Sequence, residues 1–321
     1  MIVESYLTGI YPRSDELIKA TRDFERKRIT QEDLENAFKR DVTSLVQLQI
    51  EANLSYVYEG LFKWQDIYRP FVENVPGLNV GALSRHFDNN SFYKQPIVVN
   101  EINSGDLSFL NRYFYLNHLP KDKDWKAILP GPYTFAQLAE NKFYKNKHEL
   151  LIAISTLLSN AVEYLNELGF TYFQFSEPYL AYSHNNSKFS KDDLKAAYEI
   201  ATKTPNIKYS LQVFFGDISS RLGDLLDLPV HGIGIDFTET NVANLKDYSF
   251  TKELCAGIID GRNSLVENPE NIANLVKKIK EVTNAKTIYI SPNCELEFVP
   301  QAIANQKVRA IKKAADLLKG E

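Results

Sequence analysis

The 321-residue chain contains very little sulfur: two cysteines, Cys255 and Cys294, and a single methionine. Two cysteines are too few for a disulfide framework or for a zinc site built from four cysteines. The chain also lacks a run of about 18 apolar residues, and its first residues do not combine a basic stretch with an apolar one. These absences predict a cytoplasmic protein with reduced thiols.

A strong charge of either sign is also missing. The 41 acidic and 37 basic residues give a net charge of −4 and are mixed along the chain, which argues against nucleic-acid and membrane partners. None of the five histidines belongs to a His-x-Cys, His-x-His or HExxH pair, and no glycine-rich nucleotide loop or GxSxG motif follows a predicted strand. Nucleotide-binding proteins and serine hydrolases are therefore excluded.

Strand-like and helix-like segments alternate along most of the chain. The predicted strands lie within residues 54–60, 97–99, 125–130, 171–182, 209–217, 231–237, 253–263 and 286–296. Predicted helices fill residues 14–53, with a break near Thr30, and most intervals between later strands. Residues 64–126 are predicted to form an elaborated loop region. The alternation predicts an α/β fold: a single (β/α)8 TIM barrel over residues 1–321, with residues 1–53 as a helical N-terminal extension packed on it.

Polar residues follow several of the predicted strands. In a parallel barrel the carboxyl ends of the strands surround the site, so Glu59, Tyr133, Glu177, Asp217, Asp236, Asp260, Arg262, Asn263 and Cys294 are candidates. Asp217 and Asp260 fit helix capping equally well. Glu177 precedes Pro178, which keeps it extended at the strand end and favours a ligand role. Cys294 fits either a small buried side chain or a metal ligand.

Six segments of the chain resemble the cobalamin-independent methionine synthase family: TGIYPRSDELIKATRDFERKRIT, LPGPYTFAQLAEN, FQFSEPYL, VFFGDISSRLGDLLDLPVHGIGIDF, AGIIDGRN and CELEFVPQAIANQKV. The resemblance covers nearly the whole chain. It implies two face-to-face barrels in the family, of which the C-terminal one binds zinc and homocysteine and the N-terminal one helps to hold a methyltetrahydropteroyl-polyglutamate. Residues 214–217, 228–230, 261–263, 294–296 and 306–308 resemble motifs of the N-terminal barrel.

The resemblance also locates the zinc ligands of the catalytic barrel in this sequence. A zinc-binding His-x-Cys corresponds to Gln212, Val213 and Phe214, a glutamate corresponds to Asp236, and a cysteine corresponds to Cys294. An amide and a phenyl ring cannot replace imidazole and thiolate as zinc ligands. We therefore expect no zinc in this chain alone, with Cys294 and Asp236 as the only matching positions.

The resemblance implies a methyltransferase that moves a methyl group from a methyl-pterin or folate donor, or from methylcobalamin, to homocysteine. A separate zinc-bearing barrel would act as partner. The residues expected to be catalytic are Glu177, Asp236 and Asp260. The residues expected to bind substrate are Arg13, Lys19, Glu59, Trp64, Tyr133, Asp217, Arg262 and Asn263. Surface charge and core packing are the alternative interpretation of Arg13, Lys19, Trp64 and Tyr133.

Two other functions stay open at this point. The missing zinc ligands also fit a non-catalytic barrel that stabilises or regulates a catalytic partner. The acidic strand ends, Glu59, Glu177, Asp236 and Asp260, also fit a zinc-independent enzyme acting on another small substrate, as the related uroporphyrinogen decarboxylase barrels do.

Overall fold

The computed structural model describes residues 2–182 and 190–319. Its strands are β1 (Ile2–Ser5), β2 (Leu78–Arg85), β3 (Phe92–Val98), β4 (Trp125–Pro130), β5 (Glu140–Asn141), β6 (Phe170–Ser176), β7 (Lys208–Val213), β8 (Gly232–Asp236), β9 (Glu253–Ile259) and β10 (Thr287–Pro292). Its α-helices are α1 (Asp15–Glu25), α2 (Gln31–Glu51), α3 (Arg69–Asn74), α4 (Pro132–Leu138), α5 (Lys147–Glu167), α6 (Lys191–Ala201), α7 (Leu222–Leu226), α8 (Pro269–Thr283) and α9 (Gln301–Lys319).

Seven strands form a curled parallel sheet in the order β1, β10, β9, β8, β7, β6, β4. Most residues of these strands are buried, as expected for parallel strands covered on both faces. Helices connect successive strands, so the carboxyl ends of all seven point the same way. Gly234 of β8 allows the side chain of Gln212 on β7 to lie across it, because a Cβ there would be 1.9 Å from Gln212 Oε1.

A short segment links the two edge strands of this sheet. The backbone N–H of Ser55 donates to Ser5 O of β1 at 2.9 Å, and that of Val57 donates to Asp124 O at 3.0 Å. Lys126 N–H of β4 in turn donates to Val57 O at 2.9 Å. The strand predicted at residues 54–60 is thus reduced to a bridge between β1 and β4.

β1 was not predicted, because residues 1–53 were assigned to a helical N-terminal extension. β1 has four residues, which is too short for a period of alternation to be recognised. It is a strand because it pairs with β10, whose Tyr289 lies opposite Glu4. The two helices predicted on either side of Thr30 are confirmed as α1 and α2, and Thr30 forms a capping box with Asp33.

The region predicted as an elaborated loop contains a second, smaller sheet. β2 and β3 form an antiparallel hairpin, and β5 joins β3 in parallel. The strand predicted at residues 97–99 belongs to this sheet and not to the parallel one. Residues 86–91 turn the hairpin over the carboxyl ends of the large sheet, where the Phe87 ring lies 5.8 Å from the ring of Phe215.

The helices cover the outside of the parallel sheet with their apolar faces. α2 and α5 have 21 residues each and bury the side chains of Val42, Leu45, Ile154 and Leu158, among others. Within the described ranges, no helix combines the length and the apolar character that crossing a membrane would require.

Candidate functional site

Glu177 follows β6 and is fully buried. Its Oε1 accepts hydrogen bonds from Tyr133 N–H at 2.9 Å and Tyr198 O–H at 3.1 Å. Its Oε2 accepts from both Thr134 N–H at 2.7 Å and the Thr134 hydroxyl at 2.5 Å. Burial raises the pKa of Glu177 to about 7, although all four hydrogen bonds favour the charged carboxylate. The carboxylate therefore caps the N-terminus of α4 from a distant position in the sequence.

Asp236 ends β8, and both of its carboxylate oxygens also accept hydrogen bonds from the protein. Its Oδ2 accepts a hydrogen bond from Phe215 N–H at 3.2 Å. Its Oδ1 accepts from the Thr238 hydroxyl at 2.6 Å, Thr238 N–H at 3.0 Å and Asn293 Nδ2 at 3.1 Å. Burial raises its pKa, and these hydrogen bonds oppose the increase. Phe215 has a φ of +71°, so this network holds an aromatic residue in a strained backbone conformation beside the strand ends.

The positions that correspond to zinc ligands lie close together but do not fit zinc. Gln212 donates through Nε2 to Asn293 O at 3.1 Å, and Phe214 offers only a ring. The Cys294 thiol is buried, and burial raises its pKa. Across residues 2–182 and 190–319, no group of three or more His, Cys, Asp or Glu side chains is placed to hold a metal ion.

A cavity of about 550 Å³ opens at the carboxyl ends of the strands, between the β2–β3 hairpin and the segment after β10. We call it the mouth cavity. Its lining includes Ile10, Asp66, Tyr68, His86, Asp88, Tyr93, Arg262, Glu295, Glu297 and Phe298.

Two carboxyl groups of the mouth cavity have unusual surroundings. Glu295 is 6% exposed, and its Oε2 has no hydrogen-bond partner among the described residues. Burial raises the pKa of Glu295 to about 7 and that of Glu297 to about 8, and Glu295 itself adds to the increase at Glu297. Arg13 acts in the opposite direction on Glu297. Another carboxyl group of the lining, Asp66, instead accepts hydrogen bonds from Arg69 Nε at 3.0 Å and from backbone N–H groups.

The mouth cavity is lined by two basic residues, Arg262, which is paired with a carboxylate, and His86, which is neutral at pH 7. Arg262 donates to Glu239 at 2.6 Å, and its guanidinium lies 5.2 Å from the centre of the Phe215 ring. His86 is buried against Tyr68, with 3.3 Å between its Nε2 and the Tyr68 hydroxyl. Burial lowers the pKa of His86 to about 4, so its ring is neutral at pH 7. The cavity as a whole is acidic.

The remaining acidic candidates are placed differently. Glu59 is buried, its Oε2 accepts from Leu61 N–H at 2.6 Å, and burial raises its pKa to about 8. Asp217 is exposed and accepts from Ser219 N–H, whereas Asp260 accepts from Arg262 N–H and Asn263 from Leu265 N–H. These three contacts are local turns of the capping type that the sequence left open as an alternative.

Arg13 and Trp64 line a second depression, which we call the groove. It has a volume of about 1020 Å³ and is lined by Arg13, Trp64, Glu297 and Phe298, among others, next to the mouth cavity. Arg13 donates through Nε and Nη2 to Phe62 O at 3.1 and 2.6 Å. Trp64 is 1% exposed and packs against Phe114. Tyr133 is buried beside Glu177, and Lys19 is exposed on α1 outside the lining of the groove.

Sequence reasoning missed Glu295, Glu297, Asp66 and His86. The first two belong to the CELEF segment, from which only the cysteine was taken as a candidate. Two acidic residues spaced by one position directly after a predicted strand were a usable signal. His86 and Asp66 carried no such signal, because the hairpin that brings them to the mouth cavity was not predicted.

A parallel α/β sheet with a polar cavity at the carboxyl ends of its strands is the architecture of many proteins that act on small molecules. The sequence profile of one family, described as "Cobalamin-independent synthase, N-terminal domain", matches residues 78–284. The match covers more than half of the chain, so the chain belongs to this family. The resemblance seen in the motifs is thereby confirmed.

Curated relatives agree with this assignment. The chain is 27% identical over 323 residues to a protein named methionine synthase from Saccharolobus islandicus, covering 100% of this chain and 96% of the relative. It is 25% identical over 321 residues to a methionine synthase from Sulfurisphaera tokodaii, covering 94% of that relative. These relatives are therefore close to this chain in length.

Solved structures show the same fold. A B12-independent methionine synthase from a Shewanella species, in complex with selenomethionine, superposes with a TM-score of 0.73 at 16% identity and covers 100% of this chain and 98% of that one. A putative vitamin-B12-independent methionine synthase from Listeria monocytogenes superposes with a TM-score of 0.80 at 15% identity, with full coverage of both chains.

Proposed function

We propose that the chain takes part in methyl transfer from a methyl-pterin or methyl-folate donor, or from methylcobalamin, to homocysteine to give methionine. We further propose that it does so together with a separate zinc-bearing barrel. Family membership and the names of the relatives support the reaction. The observation that carries the proposal is the chemistry of two positions that correspond to zinc ligands: Gln212 is an amide that donates to Asn293 O, and Phe214 offers only a ring.

The reaction divides between the two barrels by its chemical needs. Homocysteine must react as a thiolate, and the departing pterin nitrogen must gain a proton. We assign the thiolate to the partner, because Cys294 and Asp236 would supply only two zinc ligands and the His-x-Cys positions supply none. This chain would then hold and orient the donor at the mouth cavity and the groove.

The residues of this chain that were expected to be catalytic or to bind substrate fall into three groups. Arg13, Trp64 and Arg262 line the groove or the mouth cavity and are proposed to contact the donor. Glu177, Asp236 and Asp260 are proposed as positioning residues, because their carboxylates already accept hydrogen bonds from the protein. Lys19, Glu59, Tyr133, Asp217 and Asn263 are secondary candidates outside these two linings.

We also propose that the parallel sheet closes into a full (β/α)8 barrel and that residues 1–321 form a single domain. The backbone hydrogen bonds of Ser55 and Val57 to the edge strands support residues 55–57 as the eighth member of the barrel. Residues 6–53, which include α1 and α2, would then be the helical part packed beside it.

The test is reconstituted methyl transfer. The purified chain, a zinc-bearing barrel from the same source and homocysteine are combined with methyltetrahydropteroyl-glutamate, or with methylcobalamin, and methionine is measured. We expect a higher rate with both barrels than with either alone, and a lower rate with Arg262→Ala. Arg28→Ala, on the exposed surface, should leave the rate unchanged. Methionine formation by the chain alone would contradict the division of labour.

A second function is favoured by the loss of the His-x-Cys pair at Gln212 and Phe214. A regulatory barrel would bind the zinc-bearing partner without changing its rate of methyl transfer. Co-purification with an unchanged rate would select this function. A zinc-independent enzyme would instead act on its own substrate without the partner.

A further inference from the structure

The mouth cavity contains a buried carboxyl group that the rest of the protein does not satisfy. Glu295 Oε2 has no hydrogen-bond partner among the described residues, although the side chain is only 6% exposed. Within the same described part, no Lys, Arg or His nitrogen lies within the 4.0 Å of an ion pair from Glu295 or Glu297. A buried carboxyl group without donors is unfavourable unless a ligand supplies them.

The backbone makes room for this side chain. Gly9 has a φ of +63°, and a Cβ at this position would lie 2.1 Å from Glu295 Cγ. A residue other than glycine would therefore be strained at position 9 and would displace the carboxyl group. The fold thus holds the Glu295 side chain at the cavity wall, and this side chain is not a loose one at the surface.

The opposite wall of the cavity consists of aromatic rings. The rings of Tyr68, His86 and Tyr93 lie 5.5–5.9 Å from one another, and Phe298 adds a further ring to the lining. Aromatic faces attract cations, and His86 adds no opposing charge because its ring is neutral at pH 7. Asp66 and Arg262 are engaged with Arg69 and Glu239 respectively.

We propose that the mouth cavity binds a small organic cation, with a primary ammonium group at Glu295 and Glu297 and an apolar stem against Tyr68 and Tyr93. An ammonium group has three N–H donors and no acceptor, which matches Glu295 Oε2, an oxygen that lacks a donor among the described residues. The volume of about 550 Å³ is in the range of small-molecule sites. This inference does not rest on the proposed function, because it uses only the charges and contacts of the cavity.

The probe for the test is n-butylammonium chloride, compared with 1-butanol as a neutral molecule of similar shape. Binding to the full chain is measured by calorimetry at about pH 8, where Glu295 is ionised without ligand. Ionic strength is matched with sodium chloride. We expect the ammonium probe to bind at least about tenfold more tightly than 1-butanol.

Two variants and one control locate the site. Glu295→Gln and Glu297→Gln should each weaken binding of the ammonium probe about tenfold or more. Glu199→Gln, on the exposed side of α6, should leave it unchanged. Thermal unfolding checks that each variant folds. If Glu295→Gln does not fold, the test of the ammonium site rests on Glu297→Gln, because the Glu297 side chain is only partly buried. Equal binding of both probes, undetectable binding, or unchanged binding in a folded Gln variant overturns the proposal.

Failure of this test would leave the methyl-transfer proposal standing. That proposal is decided by methionine formation with a zinc-bearing partner, which does not require n-butylammonium to bind. The two experiments therefore fail independently.

Discussion

Two glutamates at the same end of the parallel sheet have opposite surroundings. Glu177, after β6, accepts four hydrogen bonds from Tyr133, Thr134 and Tyr198. Glu295, after β10, is almost as deeply buried, and its Oε2 accepts none from the described residues. Burial raises the pKa of both carboxyl groups to about 7. Their position in the fold and their pKa are thus alike, and only the hydrogen bonds distinguish them.

The difference separates structural from ligand-binding carboxylates. A carboxylate whose acceptor sites are filled by the protein has nothing left for a ligand without losing a bond. One that lacks donors retains its capacity and is the stronger candidate for binding. The position of a glutamate after a strand therefore identifies a region of the fold, whereas its hydrogen-bond partners identify its role.

The largest expected effect comes from removing the saturated carboxylate. Glu177→Ala leaves the N–H groups of Tyr133 and Thr134 buried without an acceptor, and we expect the free energy of unfolding to fall by about 3 kcal/mol. Urea denaturation measures the change. Glu163→Ala, an exposed glutamate on α5, is the matched control and should change stability by less than about 0.5 kcal/mol. Equal effects of the two variants would refute the structural role of Glu177.

The loop that carries Arg262 to the mouth cavity gives the next largest effect. Lys307 of α9 is fully buried and donates to Glu267 at 2.9 Å and to Leu265 O at 2.6 Å, and Glu267 also accepts from Asp260 N–H. We expect Lys307→Met to lower the free energy of unfolding by about 2 kcal/mol, because a carboxylate that is mostly buried loses its cation. Denaturation measures this effect, with Lys313→Met on the exposed side of α9 as control. A loss no greater than that of the control would exclude an anchoring role.

The smallest effect, of opposite sign, is expected at the unsatisfied carboxyl group. At about pH 8 Glu295 is ionised and buried, and its Oε2 lacks a donor among the described residues, so Glu295→Gln should raise the free energy of unfolding by about 1 kcal/mol. In the folded protein its pKa of about 7 lies above the ordinary value of 4.5. Its contribution to stability is therefore fully present below pH 4.5 and is lost as the pH rises through 7.

The pH profile of Glu295→Gln provides the check. Between pH 4.5 and 8 the stability of the unmodified chain should fall more steeply than that of the variant, because the variant lacks one titrating carboxyl group. Parallel profiles would mean that burial does not raise the pKa of Glu295 in the folded protein. The comparison with Glu177 would then lose its basis.

Much of the parallel sheet could be predicted from the sequence. The parallel strands after residue 124 are buried runs of five to seven residues between clear helix signals, and β6, β7, β8, β9 and β10 match the predicted segments to within one residue at their starts. β1 and the β2–β3 hairpin were not predicted. β1 is defined by its pairing with β10 at the other end of the chain, and β2 is largely exposed, so neither has a strong local pattern.

The candidate site was predicted only in its location. The rule that sites lie at the carboxyl ends of parallel strands predicts Asp236, Arg262 and Cys294 at that edge of the sheet, and Arg262 does line the mouth cavity. The rule could not show that Thr134 and Tyr198 donate hydrogen bonds to Glu177, since these residues are 43 and 21 positions away in the sequence. It also could not place His86 in the mouth cavity, because that position depends on the hairpin.

The most direct test of the account is the metal content of the purified chain, as isolated and after incubation with excess zinc, together with a titration of homocysteine. We expect no tightly bound zinc and no zinc-dependent binding of homocysteine by the chain alone, because Gln212 and Phe214 supply neither imidazole nor thiolate. About one tightly bound zinc per chain that disappears in Cys294→Ser would contradict the account. The chain would then be a complete methyltransferase by itself.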